Sequence, residues 1–401
     1  MSSKLEIKGY SSKDIFIVLG VILMSKSLYY ESYGGNFLLI IFFFLLAFIT
    51  IPNIKNLKTD KVILLYSLGL LSLTLINLEV SYKQWLVLFI RMLIAILVIH
   101  LISFDRFSKA FIKIMLVLSI FSWFAWIMIH FNINSPLPPF TSVHYIEDIQ
   151  GRILRNFVFF GVDEALIKYN IHRASGLWWE PGAFQLFVNL AFAFSLINNT
   201  ITRRRYIIFL ITILAALSTT GIIVFTLLSI IFFRKYFNLN NPILYLIPFL
   251  IVILGVIFVA PEVYNKMISL SFLSRYLDVL ISVNMFADNF ILGYGYGSQV
   301  ENAIPYGEAL IKSELYNQMP PSGTDGITMF IAQVGILGIF FIYPILFPQY
   351  FNHMELNARI LISLSFFLMF NTQNFTLTLI FTILTFYGLI KHRNLISHIK
   401  E

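Results

Sequence analysis

Long apolar runs alternate with short polar breaks along nearly the whole chain. The runs fall at about 15–30, 36–51, 62–76, 85–104, 110–131, 183–197, 207–219, 221–233, 242–260, 326–350, 359–371 and 375–390. A helix rises about 1.5 Å per residue, so a hydrocarbon core of about 30 Å takes roughly 20 residues. Flanking Lys, Arg and Tyr extend the shorter runs by snorkelling. The pattern predicts an all-α fold: a polytopic membrane helix bundle of about 12 transmembrane helices, forming a single membrane domain over residues 1–401. No internal repeat or low-complexity linker divides it. Two long polar segments, 132–182 and 261–325, interrupt the runs.

The stretch Ile207 to Phe233 reads in two ways, as one long helix or as a hairpin broken at Ser218-Thr219-Thr220-Gly221. Charge favours the hairpin. With the N-terminus inside, the inner segments hold seventeen Lys and Arg between Lys4 and Lys400, and the short outer turns hold only Lys83. Cytoplasmic loops carry such an excess. Both termini are then cytoplasmic and both long segments lie outside. A single long helix would move Arg234, Lys235 and Arg359 outside and spoil the bias.

Composition agrees with the pattern. The chain is 58% hydrophobic and only 12% charged, with a mean hydropathy of +0.83. A soluble domain could not hide that much apolar surface. The net charge of +8 is spread through short loops, the pattern of an oriented membrane protein, so no nucleic acid is expected as a partner. There is no cysteine, which removes disulfides and thiolate metal sites, and no His spacing suggests a metal. Residues 1–14 are polar and many further runs follow the first, so no cleaved signal peptide is expected.

Chemistry concentrates outside, because twelve of the twenty acidic residues fall in the two long segments. The densest stretch is His172 to Gly182, HRASGLWWEPG, which opens the run beginning at Ala183. Pro181 suits the first turn of a helix and leaves Glu180 at or beside its N-cap, at the positive end of the dipole. Two readings of the stretch stay open. In one, Glu180 only caps, Trp178 and Trp179 anchor at headgroup level and Arg173 binds lipid phosphate. In the other, Arg173 holds a diphosphate, the indoles stack on a sugar and Glu180 does chemistry. His172 lies in the same stretch and can titrate.

Further along, apolar residues at 273, 277, 280 and 281 predict an amphipathic surface helix carrying Arg275 and Asp278 three apart, as a surface ion pair or as ligands. The following ILGYGYGS, Ile291 to Ser298, has no strand before it and no Lys-Ser/Thr after it, so it reads as a flexible turn and not a nucleotide loop. Arg91 stands seven residues into its run, where a charge must face a cavity or a partner. It is a candidate phosphate ligand.

In their order these motifs resemble the bacterial O-antigen polymerase and ligase superfamily, especially its Wzy-type oligosaccharide repeat-unit polymerases. Arg173 to Gly182 is similar to the family's Arg-x-x-Gly segment, and the Ser-Thr-Thr-Gly break to its small-residue break two spans later. Ser274 to Ser298 resembles its surface helix and Gly-rich turn, and Gly326 to Phe340 its Gly-containing span. The likeness covers roughly residues 170–340. Ligases of the superfamily carry a His just before the last of these spans; here Pro320 to Gly326 has none, with Thr324 and Asp325 in the equivalent place, which tilts the reading to a polymerase.

The resemblance implies transfer of a glycan from one undecaprenyl diphosphate-linked oligosaccharide to a sugar hydroxyl of another, at the outer face of the bacterial cytoplasmic membrane. Membrane lipid is a partner by composition, and flippase and chain-length regulator proteins are partners that the resemblance suggests. Arg173, Arg275 and Arg91 are the expected diphosphate ligands, Glu180 the leading general base and Asp325 the next, with His172, Trp178, Trp179 and Asp278 completing the substrate-contacting set. No cofactor or metal is expected. The rival classes are a ligase-type transferase and a transporter of lipid-linked oligosaccharide, which would carry cations along a central path and internal pseudo-symmetry.

Overall fold

The computed structural model describes residues 10–32, 34–51, 61–75, 82–131, 145–147, 153–157, 160–166, 171–237, 270–295 and 326–390. Within them the chain is mostly helical, as expected. The helices are α1 (Ser12–Leu23), α2 (Leu28–Ser32), α3 (Gly35–Thr50), α4 (Lys61–Leu75), α5 (Tyr82–Leu101), α6 (Phe104–His130), α7 (Pro181–Ile197), α8 (Arg203–Ala216), α9 (Thr219–Phe237), α10 (Leu270–Asp288), α11 (Ile327–Val334), α12 (Leu337–Leu346), α13 (Leu356–Asn371) and α14 (Leu379–Leu389). By length and composition two of them, α5 and α6, are long and apolar enough to cross a membrane; shorter apolar stretches of 10–17 residues lie in α3, α4, α7, α9 and α12–α14. The apolar run 242–260 lies outside the described residues.

The bundle is organised around α7. Every residue from Pro181 to Ile197 except Gly182 is buried, and a helix that is apolar all round belongs inside. It packs on α6, α8 and α9. The outward side chains of the peripheral helices are apolar too: Phe37, Phe44 and Phe48 on α3, Leu65 on α4, Phe121 and Phe124 on α6 are all more than half exposed. Water would penalise such a surface and lipid would not.

The stretch 207–233 is a hairpin. Leu217, at φ 46°, turns the chain between α8 and α9. Tyr206 at the start of α8 stacks on Phe232 near the end of α9 at 4.4 Å, so the two helices run antiparallel. Arg234 then meets Glu355, the N-cap residue of α13, at 3.1 Å.

At the same end of the bundle, α1 begins with a capping box between Ser11 and Asp14. The fully buried Asp14 also accepts two bonds from Arg106 of α6, at 2.9 and 2.6 Å.

One architectural expectation needs correction. The segment 132–182 reads from its sequence as a polar loop in an all-α chain, but it contains an antiparallel four-stranded sheet in the order β1 (Tyr145–Glu147), β2 (Ile153–Phe157), β3 (Phe160–Leu166), β4 (Ile171–Gly176). Strands of three to seven residues fall below the length at which apolar runs become visible. The sheet rests on the C-terminal end of α6: Phe121 stacks on Phe160 at 6.1 Å, and the Trp126 indole donates to the His172 carbonyl at 2.7 Å. Strand β4 therefore delivers the His172–Gly182 stretch directly to the start of α7.

Candidate functional site

The end of the bundle opposite the Asp14–Arg106 pair contains a cavity of about 290 Å³. Five segments converge there: the turn after α1, the start of α3, the first three turns of α5, α11, and the polar turn Asn371 to Thr378 between α13 and α14. Three cations line it, Lys26, Lys83 and Arg91, together with the amides of Asn36, Gln84, Gln333 and Asn374 and the hydroxyls of Thr376 and Thr378. No Asp or Glu is among the lining residues. In the sequence Lys26 lies inside an apolar run and Lys83 in a short turn, with nothing to join them; the fold brings both to the cavity that Arg91 lines.

The polar turn holds two of these cations. Leu377, at φ 59°, directs its carbonyl to Arg91 Nη1 at 3.0 Å. The Asn374 carbonyl accepts from Lys26 Nζ, whose residue is itself at φ 54°. Arg91 Nη2 donates to the Tyr30 hydroxyl at 3.2 Å, which in turn donates to Asn36 Oδ1 at 3.2 Å. A guanidinium in an apolar helix must be held by such partners. Its Nε is buried and has no partner among the described residues.

The start of α7 abuts the same turn. Gly182 lies so close to Gln373 that a Cβ there would overlap its amide. The Trp178 indole donates to the Ser25 carbonyl at 3.3 Å, and the Leu28 N–H to the Leu177 carbonyl at 2.8 Å. Glu180 is the N-cap residue, in extended backbone at φ −140° and ψ 151°, with Pro181 in the first turn as expected. Its carboxylate makes no capping hydrogen bond and is half-buried. The capping reading of this side chain therefore lacks its hydrogen bond.

Other expected site residues sit differently. Trp178 is fully buried and stacks on Phe187 at 4.2 Å; it is a core residue and presents no face to a sugar. Trp179 is half-buried, with an indole N–H that has no partner among the described residues. Arg173 lies on β4 opposite Asp163 of β3, and His172 is buried with its ring 5.6 Å from that of His130; neither lines the cavity.

Asp278 was expected on the surface of an amphipathic helix and is buried instead. Leu277, Asp278, Ile281, Ser282 and Met285 form the buried face of α10, with Ile281 and Met285 packed on Met329 and Ala332 of α11. The Arg275 side chain and Asp325 lie outside the described residues, although Gly326, next in sequence to Asp325, lines the cavity.

The glycine-rich turn docks on a helix end. The Gly295 N–H donates to the Gln333 carbonyl at 2.8 Å, Tyr294 to Ala332 at 3.3 Å, and Ile336 back to Phe290 at 2.8 Å. A Cβ on Gly293 would overlap the Gln333 carbonyl, and one on Gly335 the Ile291 carbonyl. The turn thus satisfies the last carbonyls of α11 and holds Gln333 at the cavity. The opposite end of α11 is fixed by Asn371, whose side-chain oxygen accepts from Thr328 N–H at 3.0 Å.

No family model matches the chain, and no curated protein or solved structure matches it.

Proposed function

We propose that the chain is a multi-pass polysaccharide polymerase of the bacterial cytoplasmic membrane, and that the cavity receives the diphosphate of an undecaprenyl diphosphate-linked oligosaccharide. One observation carries this reading: three cations and no carboxylate line a cavity walled in part by the Asn371–Thr378 turn, which the start of α7 abuts through Gly182 and Gln373, while Glu180 itself is not among the lining residues. A volume of about 290 Å³ is at the lower edge of the ~300–1,000 Å³ of small-molecule sites. It suits a headgroup and leaves the oligosaccharide and the polyprenyl chain outside.

In the reaction, an acceptor sugar hydroxyl attacks the anomeric carbon of the donor glycan and the bond from that carbon to the diphosphate oxygen breaks. The bonding electrons leave with undecaprenyl diphosphate, and the hydroxyl proton passes to a carboxylate. Glu180 is the leading base, Asp325 the second. Cations fixed before the reaction stabilise the departing charge without reorganising. Each such pair at about 4 Å is worth about 1 kcal/mol in bulk water and about 4 kcal/mol near a protein surface.

The charge bias along the chain supports an outward-facing cavity with both termini cytoplasmic. The exposed Phe and Leu of α3, α4 and α6 support a lipid surround. A ligase-type transferase would use the same donor and make a single addition.

The test is binding of undecaprenyl diphosphate to purified protein. Arg91→Ala is expected to weaken it about tenfold or more, while the same change at Arg106, at the opposite end, leaves it unchanged. Equal affinity of wild type and Arg91→Ala would remove the cavity from the reading.

A further inference from the structure

Three residues that line the cavity each carry a buried polar atom with no partner among the described residues. Arg91 uses Nη1 and Nη2 on Leu377 and Tyr30, which leaves Nε buried and unbonded. Gln333, only 1% exposed, has an unbonded buried Nε2. Thr376 has an unbonded buried Oγ1. All three residues line the same space. A buried donor without an acceptor is costly, so three together, supported by rigid elements, describe a site completed by something that brings oxygen acceptors.

The support is specific. Arg91 is fixed by the left-handed Leu377 carbonyl and by Tyr30. Gln333 sits where α11 ends and is pinned through its own carbonyl by Gly295, an approach that only glycine at 293 and 335 allows. With Lys26 and Lys83 on the same walls and no carboxylate, the missing group is anionic. A tetrahedral phosphate offers several acceptor oxygens at once, and a guanidinium, an amide N–H and a hydroxyl can each take one.

We propose that Arg91 Nε, Gln333 Nε2 and Thr376 Oγ1 form one phosphate-binding centre, in which Gln333 is the neutral donor. This rests on the reading of the cavity as a diphosphate site. The ligand chemistry is that of phosphate oxygens, carried either by the lipid headgroup or by free pyrophosphate.

Affinities for inorganic pyrophosphate and for undecaprenyl diphosphate in detergent, measured by thermal shift, test the centre. Gln333→Met keeps the length and removes the donor. The ligand-free midpoint should stay level or rise, because a buried unsatisfied group is gone, while affinity for both ligands falls about tenfold or more. Gln333→Asn, which keeps an amide but withdraws it by one methylene, should show the same loss and covers the case in which the Met variant does not fold. Unchanged affinity in these variants, with wild type binding, overturns the centre and leaves the cavity reading standing. A wild type that binds neither ligand overturns both.

Discussion

Arg91 is a charge in a helix of otherwise apolar character, and the cost of that placement is what made it legible: such a residue needs a cavity or partners, and it has both. Gln333 and Thr376 gave no comparable signal. Neutral polar residues in apolar helices commonly bond back to a carbonyl one turn earlier, as Thr50, Ser195 and Ser365 do here, and nothing in the sequence separates those from Gln333; Thr376 lies in a short polar turn with no pattern of its own. Trp178 was misread for a related reason. Two adjacent indoles before a membrane run look alike, yet one turns into the core and the other stays half-buried.

Glu180 is the residue on which mechanism and architecture make different demands. Since its carboxylate makes no capping bond, Glu180→Gln should change the unfolding midpoint little, within the ~0.5 kcal/mol of an unremarkable substitution. Turnover should fall about a hundredfold or more, with donor binding retained. Separate measurements of donor binding and elongation on the Gln variant decide it; normal elongation would transfer the role of base to Asp325.

Among the described elements, most helices follow an apolar run of the sequence, although the run 326–350 is broken at Gly335 into α11 and α12, and the α8–α9 hairpin was recoverable from charge. The four short strands were not, because the sheet is stabilised by pairing between segments and not by a run within one. The face of α10 was legible at Leu277 and Ile281 but is wider than its apolar positions. It buries Asp278 and Ser282 with Leu277, Ile281 and Met285, and hydropathy cannot assign polar residues to an inner face.

The glycine turn at Ile291–Gly295 reads as flexible from composition, but backbone docking makes it a support for α11. Gly293→Ala should therefore be far more harmful than Gly34→Ala. Both positions have positive φ, at 67° and 68°, and each loses about 1 kcal/mol from backbone strain. Only Gly293 also faces a carbonyl that must move, whereas nothing lies within 4 Å of a Cβ at Gly34. A thermal unfolding series in detergent should show a small drop for Gly34→Ala and a drop several times larger for Gly293→Ala, with loss of diphosphate binding. Equal drops would mean that the turn is not a structural support.

At the scale of the whole molecule, the bundle has two chemically different ends. One carries the pair of buried Asp14 with partly exposed Arg106 and the Arg234–Glu355 contact; the other carries the cavity, Glu180 and the sheet. The proposed orientation puts the second end outside. In this cysteine-free chain, single cysteines at Ser142 and Ser313 should both react with an impermeant thiol reagent in intact protoplasts. One at Asn199, exposed at the first end, should react only after permeabilisation. Reaction of Asn199 in intact cells, or of only one of the two long segments, would contradict the orientation.

The most direct measurement is elongation itself. Purified wild-type protein in detergent, given lipid diphosphate-linked oligosaccharide extracted from the cell of origin and no added metal or nucleotide, is expected to produce a ladder spaced by one repeat unit, with free undecaprenyl diphosphate released at each step and the ladder lost in Arg91→Ala. Bound but unextended substrate, or a single addition with no ladder, would contradict a polymerase.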